Sequence, residues 1–146
     1  MSHLLAVSTK KGLWFYRSDD RSTWSVQGPH FFGTTVYHTV LDPRDGTTLL
    51  AATGGGHLGP AVQRSTDFGK TWKQASVAPT FAKGEPRGRA VNHVFWLTPG
   101  HATQPGVWYA GTSPQGLFRS EDGGDTWAAV EGFNNHKDQS DWVRGD

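Results

Sequence analysis

The chain has no cysteine and no isoleucine, a single methionine, and no apolar run approaching membrane-spanning length. The absence of cysteine excludes disulfides and thiolate metal sites and leaves the redox compartment open. A transmembrane helix needs about 20 apolar residues in a row, and no segment supplies them. Net charge is nearly absent as well. Fourteen Lys and Arg against 13 Asp and Glu leave +1, which gives no electrostatic case for nucleic acid or an anionic membrane as partner. No charged region precedes the short apolar run His3 to Ser8, so that run reads as a strand, not a signal peptide. Cytoplasmic location is the default expectation.

What is present is turn chemistry and aromatic bulk. The 146 residues are a single-domain length. Nineteen glycines, eight prolines and many short apolar runs suit an all-β chain dense in turns. Val, Leu, Trp, Phe and Tyr fill the strands, and three of the seven tryptophans belong to a repeat.

That repeat reads Ser-x-Asp-x-Gly-x-Thr-Trp. One copy is Ser65, Asp67, Gly69, Thr71 and Trp72. A second is Ser120, Asp122, Gly124, Thr126 and Trp127. Ser18, Asp20 and Trp24 mark a shortened, degenerate third. Recurrence at this spacing signals a repeated supersecondary unit. The box is built for a tight turn between antiparallel strands. Its Asp can accept bonds from the backbone N–H groups just after it. Its Gly can take the positive φ that such turns demand. The Trp opens the next strand with a large apolar area to bury.

These residues resemble the Asp-box (BNR) repeat of sialidase-like, glycosyl hydrolase-like β-propellers, and the resemblance extends over about the whole chain. It implies four-stranded antiparallel blades, with each box on the hairpin between the third and fourth strands. It also implies that the box Asp residues are turn staples, not catalytic acids, and that ligands bind on the opposite face.

In chain order, strands are expected at 3–8, 12–17, 24–27, 36–41, 49–53, 61–64, 72–75, 90–97, 107–111, 116–119 and 127–130. A loop is expected at 28–35, a glycine-rich loop at 54–60 and a long loop at 76–90. The tail from 131 is polar, with Trp142-Val143 as a strand fragment. Residues 1–28 then form an incomplete first blade, 29–76 a second, 77–132 a third, and 133–146 lead toward a further blade. This is just under three blades, whereas propellers close with about four to eight. The expectation is therefore a portion of a longer propeller or a chain that closes by self-association.

Sorting the carboxylates by face leaves Glu85 and Glu131, with Asp138, Asp141 and Asp146, on the ligand side. Glycoside hydrolysis needs two carboxylates across one bond. No pair is evident, and Glu85 is the candidate acid. The Arg-Ile-Pro motif implied by a sialidase is absent, although Arg87 and Arg89 can hold an anion. His57 and His30, in ligand-face loops, are further candidate ligand-binding residues. His38 and His93 stand at equivalent places in the innermost strands. Together with His57 they could form a zinc-type site. By resemblance the function is glycan-related and catalytically incomplete in this chain, with a carbohydrate ligand. The alternatives are a non-catalytic scaffold that binds protein, and the histidine metal site.

Overall fold

The computed structural model describes residues 2–54 and 56–142. The short apolar runs fold as three antiparallel up-and-down sheets. The first contains β1 (His3–Thr9), β2 (Gly12–Ser18) and β3 (Ser25–His30). The second contains β4 (Val36–Leu41), β5 (Leu49–Gly54), β6 (Pro60–Ser65) and β7 (Lys73–Gln74). The third contains β8 (His93–Pro99), β9 (Trp108–Ser113), β10 (Gly116–Ser120) and β11 (Ala128–Ala129). A one-turn helix, α1 (Glu131–Asn134), and a 3-10 turn (Gln139–Asp141) follow, and a second 3-10 turn (Gly56–Leu58) sits between β5 and β6. This is the expected all-β arrangement of propeller blades, a three-stranded sheet followed by two four-stranded ones. Among the described residues, no helix is long and apolar enough to cross a membrane.

The middle strand explains why the sheets stack. All of Leu49 to Thr53 is buried, so β5 reads as a continuous apolar run without alternation. Such runs mark strands covered on both faces. Leu49 and Ala51 join Leu13, Phe15 and Val36 in one core cluster. Leu50 and Ala52 join Val94, Leu97, Trp108, Ala110 and Phe118 in the other. A polar side chain on either face of β5 would fall into one of these two cores. Among the described residues, the first sheet has only one covered face. Leu5 pairs with Tyr16, Val7 with Trp14 and Tyr16 with Val26, and Leu5, Val7 and Val26 are exposed.

The boxes are hydrogen-bonded closures. In the second-sheet copy, the Asp67 carboxylate accepts the Thr71 N–H at 2.9 Å, the Thr71 hydroxyl at 2.6 Å and the Ser65 hydroxyl at 2.8 Å. The Gly69 N–H is bound by Ser65 Oγ at 2.8 Å. The third-sheet copy repeats this with Asp122, Thr126, Ser120 and Gly124. Asp20 does the same work in the degenerate copy, taking the N–H groups of Ser22 and Thr23. Gly124 has φ +87°, and a Cβ there would lie 2.6 Å from Leu50 Cδ2. Glycine is thus required twice over, by conformation and by the neighbouring blade.

The boxes of the second and third sheets are also bound to the blade before them. Arg17, Arg64 and Arg119 precede the three box serines. The Arg17 guanidinium lies 4.5 Å over the Phe68 ring of the second box. Arg64 donates to Gly123 O at 3.0 Å and pairs with Asp125 at 2.7 Å in the third. Asp125 in turn accepts from the Ser76 hydroxyl. Partly exposed pairs of this kind contribute about 0.2–1 kcal/mol each, so they align blades that apolar burial holds together.

Strand existence matches the expectation, and several ends move. Gly28 to His30, expected in a loop, extend β3, because His30 is inserted among the Phe15, Phe31 and Trp72 rings. The strand expected from Ala90 begins at His93. Trp142 lies in no strand; its ring packs on Phe133 and His136. Val143 and Asp146 lie outside the described residues.

The staples carry a pH signature. The Thr71 hydroxyl and N–H, with Ser65, hold Asp67 at about 2, below its ordinary 3.8. Burial pushes Asp122 up, but the bonds from Thr126 and Ser120 outweigh it and leave about 2. A carboxylate lowered on folding stabilises fully above its unfolded value, and that stabilisation is lost as pH falls through the folded value. The melting temperature is therefore expected to fall between about pH 4 and pH 2, and Asp122→Asn to make that fall shallower. A wild-type melting temperature that stays flat across this window would contradict the staple role.

Candidate functional site

In an up-and-down sheet, alternate turns lie at opposite ends. The box turns share one end with the β4–β5 and β8–β9 turns. The β1–β2, β5–β6 and β9–β10 turns and the connections between sheets share the other. At that other end, over the third sheet, the 75–92 connection and the 130–142 segment enclose a crevice of about 540 Å³, lined by Phe81, Arg87, Arg89, Ala90, Pro114, Gln115, Lys137 and Gln139.

Its floor is built from local bonds. Glu85 Oε2 accepts the N–H groups of Arg87 at 3.1 Å and Arg89 at 2.8 Å, closing a tight loop. Glu85 Oε1 takes Arg89 Nε at 2.9 Å and Nη2 at 2.6 Å. The same guanidinium donates to Asn134 O and to Asn135 Oδ1 and lies 4.5 Å over the Phe81 ring. Arg89 therefore has at most one of its five N–H groups left. It ties the connection to the tail. Asn134 completes the link from the tail side. Its buried amide donates to Leu117 O at 2.8 Å and accepts the Leu117 N–H at 2.9 Å, as a neighbouring strand would. Gln115 and Gln139 exchange side-chain bonds with each other's carbonyls.

Glu85 is thus occupied. The Arg89 side chain, against the opposing effect of burial, holds its carboxyl at about 2. The group is ionised at neutral pH and acts as an anchor, not as a proton donor. Arg87 and Lys137 differ from Arg89: their side chains make no hydrogen bond or ion pair among the described residues.

The histidines do not assemble. The matching bulges in β4 and β8 align Val36 with Val94, Tyr37 with Phe95 and His38 with Trp96. The repeat equivalent of His38 is therefore Trp96, not His93, and the two rings stack at 4.3 Å. His38 Nδ1 accepts the Leu97 N–H at 3.0 Å, and burial lowers its pKa. His93 stacks on Tyr37 at 4.2 Å and meets Asn92 Oδ1 at 3.2 Å. His57 is exposed in the Gly56–Leu58 turn. Among the described residues, no group of three His, Asp or Glu side chains could hold a metal. The residues present do not fit the expected zinc site. His30 is a half-buried ring among aromatics, its pKa lowered by burial, with Nε2 unpartnered among the described residues. It packs the core.

Sequence reasoning passed over Asn134, Gln115, Gln139 and Lys137 because no motif marks them. The bulge alignment was readable, since Val36-Tyr37-His38 and Val94-Phe95-Trp96 share a Val-aromatic start.

No protein-family model matches the chain. It is 30% identical over 154 aligned positions to a xyloglucanase from a Paenibacillus species, across 88% of this chain and 15% of that protein. A xyloglucanase from Acetivibrio thermocellus is 30% identical over 107 positions, 64% of this chain and 12% of the relative. The chain thus spans less than a sixth of the length of these curated relatives. Among solved structures it resembles the GH74 xyloglucanase from Xanthomonas campestris, with TM-score 0.57, 16% identity, 86% of this chain and 21% of that one. The GH74 enzyme from Niastella koreensis gives 0.53, 23%, 86% and 21%. These similarities show the fold.

Replacing Glu85 by Gln is expected to loosen the 85–89 turn and speed tryptic cleavage after Arg87 and Arg89. Arg87→Gln is expected to leave the melting temperature unchanged. Equal cleavage of wild type and Glu85→Gln at those sites would contradict the anchor role.

Proposed function

We propose that this chain forms part of a glycan-binding β-propeller of the Asp-box type, taking its sugar on the face opposite the box turns. The observation that carries this reading is the relationship to a xyloglucanase across 88% of the chain. Two features of the site agree with it. The box carboxylates are used up in closing turns, which leaves the opposite end for ligand. The candidate acid there, Glu85, is bound by Arg89, so this region frames and binds substrate without itself supplying the pair of carboxylates that glycoside hydrolysis requires.

Titration calorimetry with neutral and acidic oligosaccharides tests this. Saturable binding of at least one class is expected, with no reducing ends released. Failure to bind any oligosaccharide would overturn the glycan reading, and release of products by this chain alone would overturn its non-catalytic part.

A second reading, self-association, has one observation in its favour. The exposed side chains Leu5, Val7 and Val26 lie on a sheet face whose counterpart in the second sheet is covered. Light scattering across a concentration series is expected to show a dimer, and a constant monomer mass would remove this reading.

A further inference from the structure

The geometry points to an acidic-sugar site in the crevice between the 85–90 turn and the 136–139 segment, with Arg87 and Lys137 holding the carboxylate of a uronate residue. This rests on the glycan reading and narrows it to a ligand class.

Local charge is the first argument. The whole chain is nearly balanced, 14 basic against 13 acidic residues. Among the described residues, the crevice lining holds Arg87, Arg89 and Lys137 and no carboxylate. The nearby acids Glu85, Glu131, Asp138 and Asp141 lie outside that lining. Glu85 is bound by Arg89, and Glu131 accepts from the Asn135 amide. With Arg89 balanced by Glu85, the positive charge left over among the described lining residues is that of Arg87 and Lys137. A guanidinium fork and an ammonium group together suit a planar carboxylate.

Shape is the second argument. The volume of about 540 Å³ falls within the usual range of ligand pockets, about 300–1,000 Å³. The exposed Pro114 and the Phe81 edge give it an apolar wall. The Gln115 and Gln139 amides supply polar groups beside that wall. Apolar surface with a few polar groups matches a sugar ring, which presents C–H bonds on its faces and hydroxyls at its edge. A bare inorganic anion would leave the wall unused.

The site is also held in shape without its ligand. Arg89 fixes the 85–90 turn to Asn134 and Asn135, and the Gln115–Gln139 exchange fixes the 3-10 turn to the β9–β10 connection. Arg87 and Lys137, unbonded among the described residues, therefore project from anchored backbone, which lowers the ordering cost of binding.

The test is calorimetric titration with trigalacturonate, its fully methyl-esterified form, cellotriose and inorganic phosphate. Trigalacturonate is expected to bind at least tenfold more tightly than the other three and to weaken as salt rises from about 50 to 500 mM. Arg87→Gln and Lys137→Gln are each expected to weaken it about tenfold. Neither side chain is bonded within the described residues, so both variants should keep the wild-type melting temperature. Equal binding of cellotriose and trigalacturonate, unaffected by these variants, would overturn the acidic-sugar site and leave the glycan reading intact. Phosphate binding as tightly as trigalacturonate would also overturn it. No binding of any oligosaccharide would remove both.

Discussion

A small antiparallel sheet has two faces and can cover neither by itself. In this chain that constraint is met by stacking, and β5 shows it most directly. Its residues alternate between two cores, one shared with the first sheet and one with the third. Each blade is therefore half of its neighbour's interior. The placement of every turn follows, because the strands must run side by side from one end of the stack to the other. All hairpins of one type then collect on one face.

The box turns convert that geometry into a rigid edge. A carboxylate that binds two or three groups in its own turn shortens the hairpin and fixes the following strand. The arginines before the first two box serines extend the same device between blades, from Arg17 to Phe68 and from Arg64 to Gly123 and Asp125. The chemical consequence is functional. Asp67 and Asp122 are held at about 2 by structural bonds, so the most conspicuous acids of the sequence are committed to architecture. The variable connections at the opposite end are free to differ from blade to blade, and there the structure builds a crevice from residues without any repeat signature.

What could be read beforehand follows the same division. The box spacing specified three hairpins, because those depend on local turn chemistry, and the family resemblance implied their common face. Strand ends were less legible at Gly28 to His30, where aromatic packing overrides the turn signal of Gly28-Pro29. The histidine alignment failed because identity of residue type was followed instead of the bulge register, which pairs His38 with Trp96. Arg89 was recognised as a ligand-face cation, yet its partners Glu85, Asn134 and Asn135 could not be inferred. One is local, and the other two come from a tail with no periodicity. The link between connection and tail is a tertiary fact.

Division of labour between the two ends is the central claim, and amide chemical shifts during titration with a bound oligosaccharide test it most directly. Perturbations are expected to concentrate at 81–90, 113–117 and 131–142, with the box turns at 18–24, 65–72 and 120–127 unmoved. Perturbations centred on the box turns, with the opposite face silent, would contradict it.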